Sequence, residues 1–235
     1  MGNELDEYLS ARGIALPAAA APLFDRYYEL LISANRKVNL TRITMHQEVF
    51  IKHFLDSLEL LTWQRQLSGP LLDVGSGAGL PGFPLKIACP ELSLTLLDSS
   101  RKRVAFLRET ARELGFEQVT ALHGRAEDFG SNQAYREQFP LVVSRAVARL
   151  NVLCELCLPF VSPGGYFVAY KGPDGIAELA EAQTALTELG GRDVTTWPYV
   201  LPHNMGQRLL VLIKKEKMTP KKYPRKAGIP EKRPL

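Results

Sequence analysis

The stretch Leu71-Leu72-Asp73-Val74-Gly75-Ser76-Gly77-Ala78-Gly79-Leu80-Pro81-Gly82 decides the fold. A short apolar run suited to a buried strand enters a glycine-dense turn, and the turn opens a helix whose first turn accommodates Pro81. Glycines in such a turn let the backbone bend sharply and approach a ligand closely. Residues 77–82 also satisfy the G-x-G-x-x-G pattern, with Asp98 about twenty residues further on, as in dinucleotide sites.

Outward from this loop, short apolar runs alternate with helical segments. The runs Leu71–Val74, Leu92–Leu97, Val119–Leu122, Leu141–Ser144, Tyr166–Tyr170, Val194–Tyr199 and Leu209–Ile213 read as strands, with Lys102–Leu114 and Ile176–Leu189 among the helices between them. The alternation predicts an α/β fold with a doubly wound, seven-stranded, mostly parallel sheet. Only the Leu201–Gly206 loop separates the last two runs, so they are expected to pair as an antiparallel hairpin at one edge. Upstream, Leu23, Phe24, Tyr27, Leu30 and Leu31, then Val49, Phe50, Phe54, Leu58 and Leu61, recur at helical spacing. The chain thus divides into an N-terminal helical layer (1–68), a core (69–215) and a tail (216–235).

The net charge of +4 hides an asymmetry. Residues 214–235 hold nine Lys/Arg against Glu216 and Glu231, a net +7, which leaves residues 1–213 at −3. The basic character is concentrated where it can meet a polyanion, and Lys221, Lys222, Arg225 and Lys226 are candidate contacts. Pro220, Pro224, Pro230 and Pro234 predict a tail that stays extended or disordered until it binds, adding electrostatic affinity for a polyanion and leaving the affinity of the glycine loop for its ligand nearly unchanged. No apolar run approaches the ~18 residues of a membrane span, and the acidic start (Glu4, Asp6, Glu7) lacks the features of a secretory signal. A cytoplasmic monomer is expected. Cys154 and Cys157 sit in an apolar helical run and read as core residues, and no third ligand joins His46 and His53, so no metal is expected.

Asp73 argues against a pyrophosphate in the loop, because it places a carboxylate at a strand end that a phosphate would avoid. S-adenosylmethionine carries a sulfonium and an ammonium and no phosphate, so it suits Asp73 and the loop glycines Gly75 and Gly77. Asp98 is placed to accept hydrogen bonds from ribose hydroxyls whichever cofactor binds. After the third strand, Ala126 and Glu127 could meet an adenine edge, and Arg145 sits at the carboxyl end of the fourth, where such sheets bind ligands.

The segments Asn35-Arg36-Lys37-Val38-Asn39-Leu40-Thr41, His53-Phe54-Leu55-Asp56-Ser57, the Asp73–Gly82 loop, Leu97-Asp98-Ser99, Arg101-Lys102-Arg103 and Ser144-Arg145-Ala146 together resemble the bacterial small-subunit (16S) ribosomal RNA guanine-N7 methyltransferases, also called glucose-inhibited division protein B. The similarity covers most of the chain, and residues 220–230 resemble the terminus of the longer members. It implies the class I S-adenosylmethionine-dependent methyltransferase fold, a Rossmann-like sheet ending in an antiparallel hairpin. It also implies cofactor contacts from Gly75, Leu80, Asp98, Ser99, Ser100, Ala126, Glu127 and Arg145, and a guanine of 16S RNA in the small ribosomal subunit as substrate.

Guanine N7 carries a free lone pair at neutral pH, so its methylation requires orientation and no general base. His53 and Asp56, three apart on a helix, together with Asn39, Arg42, Lys52 and Lys171, form a candidate cluster for positioning the base or gripping phosphates. The same His53–Asp56 pair could instead lock the helical layer onto the core. Two other functions fit parts of the pattern: a nicotinamide-dependent oxidoreductase and a non-catalytic ribosome assembly factor.

Overall fold

The computed structural model describes residues 3–67 and 69–235; Met1, Gly2 and Ser68, the last ending the expected N-terminal layer, lie outside the described residues. Helices α1 (Asn3–Ala11) and α2 (Ala20–Val38) precede a helical run made of α3 (His46–Val49), a π-helical segment Phe50–Leu55, α4 (Asp56–Leu58) and α5 (Leu60–Trp63). Then follow β1 (Pro70–Val74), α6 (Gly82–Ala88), β2 (Ser93–Asp98), α7 (Arg101–Glu113), β3 (Val119–His123), α8 (Ala126–Ser131), β4 (Phe139–Arg145) and α9 (Leu150–Cys157). The chain continues through β5 (Val161–Lys171), α10 (Gly175–Glu181), α11 (Gln183–Leu189), β6 (Gly191–Val200), β7 (Gln207–Lys215) and α12 (Ile229–Lys232).

The seven strands form one sheet in the order β3-β2-β1-β4-β5-β7-β6. Every pairing is parallel except the two made by β7, so the expected doubly wound sheet and terminal hairpin are both present. Strand order reverses between β1 and β4, which opens a crevice at their carboxyl ends. The single helix expected over 176–189 is instead α10 and α11, divided at Ala182, whose ψ of 1° leaves the helical range.

Alternation along the strands builds two cores. Leu71, Leu94, Leu96, Val143 and Val168 face one side, where α2, the 46–63 run and α6 pack. Leu72, Leu97, Val142, Phe167 and Val211 face the other, against α9 and α11. Cys154 and Cys157 are fully buried there, and burial pushes the Cys154 thiol up to about 12, as suits packing residues.

The N-terminal layer shares the first of these cores. Tyr27 of α2 stacks on Phe54 at 5.0 Å and meets Phe83 of α6 edge-on at 5.5 Å. Its hydroxyl donates to the Ala78 carbonyl at 2.6 Å, so the layer grips the glycine loop directly.

The tail departs from expectation. It is neither extended nor loose: Thr219, Tyr223 and Pro230 are buried, and α12 ends it. Prolines remove backbone donors and lower the entropy of the free chain, so fixing the segment costs less. The carbonyls left without a ladder are met by Arg136, which donates to those of Thr219 at 2.5 Å and Tyr223 at 2.8 Å. Lys215, fully buried at the end of β7, donates to the Leu158 carbonyl at 2.7 Å and to the Thr219 hydroxyl.

Candidate active site

Two clefts meet at the carboxyl ends of β1 and β4. One encloses about 190 Å³ between the β1, β2 and β3 ends, with Gly75, Asp98, Ser99, Ala126 and Glu127 on one side and Val152 and Leu156 of α9 on the other. The second, wider cleft of about 560 Å³ is lined by Lys52, His53, Asp56, Arg145, Tyr170, Lys171 and Arg208. Val147 and Ala148 line both, so a group in the first can reach the second across this short segment. Ala146 turns the chain there through a left-handed conformation with φ 56°.

The first cleft is shaped by the glycine loop. Gly75 has φ 74°, and a Cβ there would lie 2.3 Å from Val147 Cγ2. Asp98, almost fully buried, accepts from the Gly77 N–H at 2.9 Å and the Ser100 N–H at 2.8 Å, which fixes the loop against the end of β2. Asp73 is fully buried beneath the loop; its Oδ2 accepts from the Gly82 N–H at 3.0 Å. Its Oδ1 is the one buried side-chain polar atom without a partner among the described residues. Burial raises its carboxyl from the usual range to about 7, against the opposing pull of the Gly82 N–H and the Arg145 charge. Three acids on the cleft, Asp98, Glu127 and Glu231, against the single cation Arg125 suit a positively charged ligand better than a pyrophosphate.

In the second cleft Arg145 is the hub. Its Nη1 donates to Asp56 Oδ2 at 2.7 Å and to the Lys52 carbonyl at 3.2 Å. The π-helical widening of Phe50–Leu55 presents that carbonyl and His53's outside the α-helical ladder. The hairpin completes the cluster: Tyr199 donates to Asp56 Oδ1 at 2.8 Å, and Arg208 Nε lies 3.6 Å from the same oxygen. Tyr170 donates to the Ser57 carbonyl at 2.7 Å. His53 contacts the Thr41 hydroxyl through Nε2 at 2.8 Å and the Lys52 carbonyl through Nδ1 at 3.1 Å. Arg145 Nη2 lies 3.5 Å from the same Nδ1. Burial first, and the Arg145 charge second, lower the imidazole to about 3, so it is neutral at physiological pH. Five cations against two acids line this cleft, whereas residues 1–213 carry a net −3.

A model of the GidB family, described as rRNA small subunit methyltransferase G, matches residues 21–202. The chain belongs to this family. A ribosomal RNA small subunit methyltransferase G of Brevibacillus brevis is 47% identical over 234 residues, covering 99% of this chain and 98% of its own. One from Lactobacillus johnsonii is 49% identical over 230 residues, covering 97% of this chain and 96% of its own. The fold is shared with a structure assigned as an S-adenosyl-L-methionine-dependent methyltransferase from Methanococcus maripaludis, with TM-score 0.56, 13% identity, 81% of this chain and 93% of that one. A methyltransferase from Pyrococcus furiosus aligns with TM-score 0.53 at 16% identity, over 70% of this chain and 83% of its own. Family membership makes the chain an S-adenosylmethionine-dependent methyltransferase acting on ribosomal RNA.

Of the cofactor residues expected from sequence, Gly75, Asp98, Ser99, Ala126 and Glu127 line the first cleft. Gly77 and Ser100 contribute through their N–H bonds to Asp98, Asp73 lies below the loop, and Leu80 is buried in the core. Arg145 lines the second cleft, not the first. Of the RNA candidates, Lys52 and Lys171 reach the second cleft, but Lys52 pairs with Glu48 and Lys171 with Glu178 at 2.7 Å. Asn39 caps α2 in a left-handed conformation, φ 49°, which accounts for the residue without RNA. Arg42 is exposed beside Ile43, which lines the second cleft.

In the tail, Lys221 and Lys226 are exposed, but Lys222 pairs with Glu188 at 3.1 Å. Arg225 grips the buried Glu155 through Nε at 2.9 Å and Nη2 at 2.5 Å, which revises it from an RNA contact to an anchor. Sequence reasoning missed Tyr199, Arg208, Val152, Leu156, Pro230 and Glu231. An antiparallel β7 necessarily begins at the carboxyl edge, so Arg208 was within reach of the expected hairpin; nothing local marks the other five.

Proposed function

We propose that the chain transfers a methyl group to N7 of a guanine in the 16S RNA of the small ribosomal subunit, acting as a cytoplasmic monomer. The observation that carries this reading is the pair of clefts joined at Val147–Ala148, one suited to an adenosyl group and one ringed by an excess of cations. Gly75, Asp98, Ser99, Ala126 and Glu127 would hold S-adenosylmethionine, Asp98 through the ribose. When bound, the cofactor supplies an electrophilic methyl on a sulfonium.

The chain's own residues would orient the guanine toward that methyl, and orientation of this kind is worth ~7–11 kcal/mol. Held by Gly75, Asp98 and Glu127, the cofactor would supply its methyl to the free lone pair of N7, so no residue of the chain need take a proton there. A neutral His53 with a bonded Nδ1 fits this economy, since no base is required. Arg145 and Arg208 present charge to the RNA, while Asp56 positions both guanidinium groups and ties the helical layer to the sheet. The test is transfer of labelled methyl to small subunits from cells lacking the enzyme, mapped by cleavage at 7-methylguanine. Label at one guanine is expected. No label on subunits, assembly intermediates or 16S RNA would overturn the reading.

A further inference from the structure

The first cleft has a wall that the core fold does not provide. Pro230 and Glu231 of α12 line it together with Leu97, Val152 and Leu156. The Gly228 N–H donates to Glu127 Oε1 at 2.9 Å, so one oxygen of a cleft-lining carboxylate is held by the tail. Arg225 closes on Glu155, which is 1% exposed, through the Nε and Nη2 edge of its guanidinium, and its backbone N–H donates to Glu155 Oε1 at 2.8 Å. Leu235 packs against the same core as α9. The tail is therefore docked on the helix that forms the cleft's other side.

From these contacts we infer that residues 225–235 form the outer wall of the adenosyl pocket, and that tail docking and cofactor binding reinforce each other. The inference rests on the assignment of the first cleft to S-adenosylmethionine. Gly228 occupies one Glu127 oxygen, which leaves the other for the exocyclic amine of adenine, while Pro230 supplies an apolar surface opposite the β2 end. An undocked tail opens the pocket to solvent and releases the Glu127 carboxylate from its fixed orientation. Because coupling between two binding events is reciprocal, whatever the tail adds to cofactor affinity the cofactor returns as tail docking. This reverses the expectation that the tail leaves cofactor affinity unchanged.

The test is calorimetric binding of S-adenosylhomocysteine to the full chain, to a chain ending at Ala227, and to Arg225→Ala and Asp98→Ala. Thermal unfolding without ligand confirms that each variant folds. The wall predicts at least tenfold weaker binding on truncation and a smaller loss in Arg225→Ala. A second readout needs no variant: S-adenosylhomocysteine should slow tryptic cleavage after Lys226 and Lys232 of the full chain. Unchanged affinity in the truncated chain, or unchanged cleavage rates should that chain fail to fold, would overturn the inference while Asp98→Ala still weakens binding. Full affinity in Asp98→Ala would instead refute the assignment of the pocket.

Discussion

Replacing Arg145 with alanine isolates what holds the second cleft together. The Arg145–Asp56 pair is close, 2.7 Å between Nη1 and Oδ2, with side chains 12% and 5% exposed. Two charges about 4 Å apart attract by ~4 kcal/mol at an effective dielectric of 20, and breaking such a pair on one side costs ~3–5 kcal/mol because the partner remains buried. Tyr199 and Arg208 still face Asp56 in the variant, which places the expected loss at the lower end, about 3 kcal/mol. Asp56→Asn alone should cost less, since an amide can still accept from Tyr199. In urea titrations of Arg145→Ala, Asp56→Asn and the double variant, the cycle should give a coupling of about 2–3 kcal/mol. Methyl transfer should fall in every variant, and Arg145→Lys should restore stability more than turnover, since lysine keeps the charge and loses the fork. Additive losses, with coupling under about 0.5 kcal/mol, would refute the hub.

Two buried groups give opposite pH signatures. His53 is held at about 3, below its unfolded value of 6.5, so the unfolded chain binds the extra proton on acidification. From pH 7 to 5 this destabilises the fold by about 2 kcal/mol. Asp73 is raised from 3.8 to about 7, so the folded chain takes up the proton and gains about 2 kcal/mol over the same interval. The two cancel in the parent; His53→Gln should become more stable at pH 5 than at pH 7, and Asp73→Asn less stable, by denaturant titration, with parallel pH profiles for both counting against these assignments. Gly79→Ala should cost about 1–3 kcal/mol more than Gly164→Ala, although φ is +89° and +86°, because only at 79 does the new Cβ meet a buried ring, 2.2 Å from Phe83 Cδ2. Equal losses in melting experiments would show that the loop absorbs the clash. Lys221→Ala with Lys226→Ala should lower the log–log salt slope of RNA binding by up to about 2, whereas Lys222→Ala should change it little. A reversed order would place Lys222 on the RNA.

Much of the fold was legible because its signals are local. The glycine loop, the apolar runs and the short 201–206 connection each carry their structural consequence within a few residues. The position of Asp98 on the first cleft was legible for the same reason, being tied to a strand end. Asp56 was half legible: its helical spacing from His53 could be read, but its partners Arg145, Tyr199 and Arg208 come from three different strands. The tail was misread because proline content reports lost backbone donors and says nothing of a distant Arg136 that supplies replacements. Arg225 resembled an RNA-facing cation because Glu155, which neutralises it, is seventy positions away in the chain and hidden in α9.

The seating of Leu235 bears on how the protein can be handled. Leu235 is half-buried against the core that α9 helps to build, a few positions beyond the two tail residues that line the first cleft. An affinity handle or fluorescent fusion added at this end would emerge beside the pocket and compete with the docking of α12. Ligand affinities measured on such a fusion would describe a partly undocked protein, so purification handles belong at the other terminus.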